Sequence, residues 1–410
     1  MKKLVILCVL ICFAFFSCKD EEKSDKGDSI KIGLLLPVLK YREWSDSLEK
    51  SAQIAIDEIN SAGGIGNRKL SLVISDDRGD ENGTALAAKD LIEKSKVVAI
   101  VGPMSSSSVI SSAKEAAIPN NIPLITPTGT SDEITNLEDN SCVWRTIPKN
   151  SLQAEVLAAY LIAKTDKKKA SILFVNSSYG KDLAEKFKAS FIASGGTIVQ
   201  ETSFENKDDY SDYNFAPKLE ELFKEKADII FTILTTKEAK LVFTAIANKL
   251  DIYIPHSPLF VGADALFSND FLENSPEIVN NMLIITPGNR DTENFQTLDS
   301  LFNAKYGANP NNENIENMYD AVFILGLAIL EGNSTESDSI KKHLLSVSKS
   351  GEKIKIGEVL KAKEMIEQGK DIDYEGTGGG VDFDDSGDVT ASPFTIYEVK
   401  NKQFVKKEIL

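Results

Sequence analysis

Short apolar runs recur along the chain, and between them the apolar positions fall at helical spacing. Ile30–Leu36, Leu70–Ser75, Val97–Val101, Ile122–Ile125, Ala170–Val175, Thr197–Phe204, Asp228–Leu234, Leu259–Val261 and Met282–Thr286 read as strands. Most are unbroken and rich in β-branched residues, the pattern of a parallel sheet buried on both faces. In the first intervening stretch Leu48, Ala52, Ala55 and Ile59 stand at i, i+4, i+7 and i+11, one apolar stripe on a helix. Asp46 with Glu49 predicts a capping box at its start, and Asn60 to Gly64 its stop. Thr84–Glu93, Ser151–Ala163, Lys181–Ser194, Phe215–Lys226, Lys237–Lys249, Phe295–Tyr306, Met318–Glu331 and Ser339–Ser346 read as further helices. Strands alternating with helices at this spacing imply βαβ units and an α/β, doubly wound parallel sheet. The alternation restarts near Ser151. A chain of 410 residues is also too long for one compact core, so two such units are expected.

Two strand ends carry an unusual concentration of small hydroxyl residues. Val97–Val101 runs into Gly-Pro-Met and then Ser105 to Ser108 at a helix start, and Ile122–Ile125 leaves through Thr126-Pro-Thr128-Gly-Thr130. Free N–H groups and the helix dipole at such a place suit an anion such as a carboxylate. The plain alternative is that the serines only cap a helix, for which Ser is favoured.

Composition is that of an ordinary globular chain, 42% hydrophobic and 26% charged, with a formal net charge of −16. That acidity argues against nucleic acid or an anionic lipid surface as the partner. The first residues, MKKLVILCVLICFAFFSC, pair a basic start with an apolar run too short to span a membrane, the signature of an export signal. The ending Phe16-Ser17-Cys18 resembles a bacterial lipobox. It implies a signal peptide over 1–17, a lipid on Cys18, and a solvated tether over 18–29, placing the protein in the bacterial cell envelope, at the periplasmic face or the cell surface. Ordinary signal peptidase cleavage is the alternative. Of four cysteines only Cys142 then remains, with no partner for a disulfide and no metal-ligand cluster, and it is expected to be buried. Asp382–Asp388 (DFDDSGD) has acidic spacing up to Gly387, but a calcium loop needs a bidentate Glu where Pro393 stands. A turn between tail strands, with Pro393–Lys400 and Gln403–Lys406 following, fits better. No nucleophile elbow, Walker loop, zinc-protease or paired-cysteine motif occurs, and the two histidines have no triad context. No cofactor, metal or catalytic residue is assigned, and an enzyme is not expected.

Taken in order, INSAGGIGNRKLSLVISDD (59–77), VGPMSSSS (101–108), IPLITPTGTSDEIT (122–135), VWRTIP (143–148), NSSYGKDLAE (176–185) and FDDSGD (383–388) resemble the type I periplasmic solute-binding proteins. The likeness is to the leucine/isoleucine/valine-binding group of ABC transporter receptors, and it extends from Ile30 to about Phe404. It implies lobe I over 30–145 plus 288–379, and lobe II over 146–287 plus 380–410. Crossing strands would lie near Val143–Ile147, Thr286–Gly288 and Gly379–Val381. An amino-acid-like ligand would be trapped in the cleft and passed to an ABC permease. An envelope sensory or regulatory receptor of the same fold is the alternative.

Residue by residue, the resemblance puts Ser105 and Thr130 where hydroxyls hold the ligand carboxylate, helped by N–H groups around Ser106 and Thr130. The Thr128 carbonyl falls where the ligand ammonium donates, and Asp264 where an acid pairs with that ammonium. Trp44 and Tyr179 fall on the aromatic wall of the side-chain pocket. Thr235 departs from the pattern, standing where branched-chain binders carry a tyrosine that contacts the ligand. Read without the resemblance, Asp264 is a solvated loop acid, Trp44 covers a helix start and Tyr179 packs a turn.

Overall fold

The computed structural model describes residues 29–253, 256–307 and 314–410. Cys18 and the leader before it lie outside the described residues. The first sheet is built from β1 (Ile30–Leu36), β2 (Leu70–Asp76), β3 (Ala99–Val101), β4 (Leu124–Thr126) and β5 (Val143–Arg145). Its order is β2-β1-β3-β4-β5, and every pair is parallel. The second sheet takes β6 (Lys169–Asn176), β7 (Thr197–Glu205), β8 (Ile229–Ile233), β9 (Leu259–Gly262) and β10 (Leu283–Pro287). A small parallel pair, β11 (Glu352–Ile354) and β12 (Ile372–Tyr374), stands apart. Then β13 (Phe394–Lys400) and β14 (Gln403–Ile409) return to the second sheet as antiparallel strands, β14 at the edge, giving the order β14-β13-β10-β9-β8-β6-β7.

Each sheet is covered on both faces. Ile30, Ile32, Leu34 and Leu36 of β1 pack on the side of helix α1 (Arg42–Ser61) and the long apolar helix Ile315–Gly332. Leu35 faces the other way, toward α2 (Glu81–Asp90) and α3 (Ser106–Ser112). In the second sheet Ile229, Phe231 and Ile233 face α4 (Asn150–Lys164) and α5 (Ser178–Ala193). Ile230 and Leu234 face α6 (Ala216–Leu222) and α7 (Thr236–Ala247). The period of two along each strand splits its apolar side chains between two cores, and that explains the unbroken apolar runs. Chain order does not follow the sheets: β13 returns to the second sheet only after a long stretch that packs on the first. No helix among the described residues is long and apolar enough to cross a membrane.

Three details differ from the sequence expectations. Helix α1 starts at Arg42, because the Tyr41 N–H already bonds the Pro37 carbonyl at 2.8 Å. Asp46 therefore lies within the helix and pairs with Lys50 at 2.6 Å instead of opening a capping box. Helix α5 begins at Ser178, capped by Ser177, so Tyr179 sits in its first turn and not in a loop. The 382–388 segment is a turn closed by one bridge, Phe383 to Val389, with the Ser386 and Asp388 N–H groups on Asp384 Oδ1. Val381, Phe383 and Val389 pack in the first sheet's core, so the chain does not cross at Gly379–Val381. It crosses just before β13, where Gly288 N–H bonds the Pro393 carbonyl at 2.8 Å. Cys142 is a buried free thiol, and no group of acidic, His or Cys residues among the described residues could hold a metal.

Candidate functional site

Every residue singled out by the sequence lies just beyond the C-terminal end of a parallel strand. Trp44 follows β1, Ser105 and Ser106 follow β3, and Thr128 and Thr130 follow β4. Tyr179 follows β6, Thr235 follows β8, and Asp264 follows β9. Ligands of open α/β sheets bind at this end, where loops converge around the strand termini.

On the first sheet the hydroxyls sort into scaffold and display. Ser105 caps α3, its Oγ accepting from Ser108 N–H at 3.3 Å, yet the residue stays exposed. The first turn of α3 leaves its leading N–H groups without intrahelical partners. Ser106 Oγ is buried and accepts from Ser131 N–H at 3.1 Å, tying the β3 loop to the β4 loop. Thr126 Oγ1 donates to the Pro103 carbonyl and accepts from Gly129 N–H, both at 2.9 Å. Thr128 Oγ1 donates to the Met104 carbonyl. Thr130 is the exception: its Oγ1 is buried and has no hydrogen-bond partner among the described residues. A buried polar atom left unpaired is rare enough to need a reason.

The second sheet presents an acid. Asp264 Oδ1 accepts from the Tyr179 hydroxyl at 2.8 Å and from Gln153 Nε2 at 3.0 Å. No lysine or arginine among the described residues pairs with it, so burial raises its pKa above the usual carboxylate value, against the lowering effect of its two neutral donors. Burial and then the Asp264 charge likewise push the Tyr179 phenol well above its ordinary value. Tyr179 can be placed this tightly because Gly180 follows it: a Cβ there would stand 2.1 Å from the Val175 carbonyl.

Helix α4 joins the two sides. Asn150 N–H bonds the Thr130 carbonyl at 2.8 Å, and its Nδ2 reaches Asp182 Oδ2 at 2.7 Å and the Tyr179 carbonyl at 3.4 Å. Thr130, Tyr179 and Asp264 are thus brought together through Asn150 and Gln153 on one helix. Around the rim the loops also meet: Asp132 N–H donates to Asp182 Oδ2 at 2.9 Å, and Lys40 pairs with Asp208 at 2.6 Å. Trp44 packs on the first core, edge-on to Tyr41 at 6.3 Å. Thr235 caps α7, its N–H and hydroxyl both on Glu238 Oε2. No hydrogen bond links Trp44 or Thr235 to Asp264 among those described.

Sequence reasoning missed Asn150, Gln153, Arg145 and Asp388. Nothing marks the first two, which are ordinary helix residues. Arg145 did carry a signal, a charge inside the apolar run VWRTIP.

A model of the periplasmic binding proteins matches residues 29–403. The Leu/Ile/Val-binding protein BraC3 of Rhizobium johnstonii is 30% identical over 203 residues, 49% of this chain and 53% of that one, so the match spans about half of that relative's length. The leucine-, isoleucine-, valine-, threonine-, and alanine-binding protein of Pseudomonas aeruginosa is 24% identical over 375 residues, 91% of this chain and 90% of that one. In fold, the chain is similar to the branched-chain amino acid transporter substrate binding protein LivJ from Streptococcus pneumoniae, solved in complex with isoleucine. The TM-score is 0.75 at 22% identity, covering 93% of this chain and 99% of that one. Strand order, the strand-end site and the family match together place the chain in the periplasmic binding protein family.

Proposed function

We propose that the protein captures a zwitterionic amino acid, or a close analogue, between two lobes and delivers it to an ABC permease. Lobe I is organised on the first sheet and lobe II on the second, with Cys18 as the lipid anchor. The observation that carries this reading is Asp264, a partly buried carboxylate with neutral donors and, among the described residues, no lysine or arginine paired with it. An isolated buried charge is costly unless a partner compensates it. A ligand ammonium is such a partner, and the Thr130 hydroxyl with the N–H groups at Ser106 offers the complementary end for a carboxylate. The names of the relatives and the isoleucine complex of a similar fold point the same way. Closing the lobes pairs both ligand charges at once, so the ligand selects the closed form by differential affinity. No residue is assigned a catalytic role.

A thermal-shift screen of the amino acids, their amides and their decarboxylated amines tests the proposal. Stabilisation by some amino acids, and by neither the amide nor the amine of the same side chain, is the expected result, since only a ligand that binds the native state raises its melting temperature. A flat screen would overturn it and favour a receptor that docks a protein.

A further inference from the structure

Arg145 is a fully buried charge that touches none of the residues assigned to the ligand through their side chains. Its Nη1 donates to the carbonyls of Gly129 at 3.2 Å and Ser131 at 3.0 Å, the two residues flanking Thr130. Its Nη2 donates to Thr135 Oγ1 at 2.7 Å, and its Nε to Asp388 Oδ1 at 2.6 Å. Thr135 in turn donates to Asp388 Oδ2 at 2.7 Å, and Lys149 approaches the same oxygen at 3.3 Å. One planar guanidinium thus clamps both sides of a loop whose central hydroxyl is buried and unpartnered.

Asp388 comes from the turn that precedes β13, far away in sequence. The turn is docked closely: Arg145 N–H bonds the Gly387 carbonyl at 3.0 Å, and a Cβ on Gly387, at φ +75°, would stand 2.4 Å from the Val143 carbonyl. The carboxylate therefore arrives on a rigid backbone, and its only work among the described contacts is to hold Arg145, Thr135 and Lys149.

We infer that Arg145 and Asp388 form a positioning pair that presents Thr130 to the ligand carboxylate, with the segment before the last crossing acting as the anchor of the anion-binding loop. The inference rests on the function proposed above. Its content is that Arg145 acts on ligand through Thr130 and not through general stability.

Two measurements test it on the full chain without its leader. Backbone hydrogen exchange in the ligand-free protein compares Asp388→Asn with the native chain. Exchange is expected to rise at least fivefold within residues 129–131 and to stay unchanged in the distant strand β8. Equal exchange at 129–131 would overturn the inference whatever the ligand does. Calorimetric titration with L-leucine then compares Arg145→Lys, Thr130→Ala and the double variant. Arg145→Lys alone is expected to weaken binding at least tenfold, but less than twofold when Thr130 is already Ala. The same penalty in both backgrounds would make Arg145 a structural residue only and overturn the inference. Native affinity in Thr130→Ala would instead remove Thr130 from the site, and with it the functional reading. If Arg145→Lys fails to fold, Asp388→Asn replaces it in the same comparison.

Discussion

The strand ends of the two sheets handle charge in opposite ways. On the first sheet the residues named for the site, Ser105, Ser106, Thr128 and Thr130, carry no formal charge. An anion would meet hydroxyls and N–H groups from two adjacent loops, with Arg145 standing behind them. On the second sheet the work is concentrated in one carboxylate, Asp264, backed by Tyr179 and Gln153. Shared donors make the first side tolerant, since each contributes only part of the total. A single, partly buried carboxylate makes the second side brittle, because the whole charge rests on one group. Anion sites can be built this way because every non-proline residue carries a backbone donor, whereas a cation needs a side-chain acid if it is to meet a full charge.

The sharpest break of this contrast is Asp264→Asn. It keeps the shape and removes the charge, so titration with an amino acid that passes the screen is expected to weaken by about 1.5 to 3 kcal/mol, the scale of a hydrogen bond to a charged group. A loss no larger than that of Ser105→Ala would erase the asymmetry.

Acidification should act on the same side. The folded state raises the Asp264 pKa through burial, so ionising it destabilises the empty protein as pH rises past the unfolded value. An ammonium pairs only with the ionised form. Binding is therefore expected to weaken as pH falls through the raised pKa, by at most about 1.4 kcal/mol per pH unit, and to level off above it. Isothermal titration across pH 4.5 to 8 reads this, and Asp264→Asn should flatten the profile.

The remaining effects are smaller and fall mostly on the first side. Thr130→Ala removes a buried hydroxyl that has no other partner, and a loss of about 1.5 kcal/mol in ligand binding is expected, with little change in the unliganded melting temperature. Ser105→Ala should cost less binding but more stability, about 1 kcal/mol, because that side chain also caps α3. Tyr179→Phe, which deletes one of the two neutral donors to Asp264, should weaken binding by roughly 1 kcal/mol and raise the carboxylate pKa further. Equal losses of binding in Thr130→Ala and Ser105→Ala would mean that the first side's donors are not shared in the way described.

Much of this architecture was legible in advance. Doubly buried strands such as Ile229–Ile233 and the α1 stripe of Leu48, Ala52, Ala55 and Ile59 carry their surroundings in their spacing. The hydroxyl loops were legible for the same reason, being contiguous runs at strand ends. The acid end was less so. Tyr179 and Asp264 came by resemblance, and Gln153 did not come at all, because their contact closes across 85 and 111 residues of chain. The Asp46 capping box misled because a local backbone turn, with the Tyr41 N–H on the Pro37 carbonyl, had already started the helix.

What the order of residues determined by itself is therefore local and periodic: which runs are strands, which faces are apolar, where small polar residues gather at strand ends. What only the tertiary structure decided is which distant polar groups share a charge. The turn at Asp388 read as a simple reversal, yet its carboxylate is the counter-ion of Arg145 across 243 residues. The physical reason is that hydrophobic burial leaves a repeating trace at short range. A buried charge pair needs only one partner of the right sign and distance, and that partner can come from anywhere the fold brings the backbone.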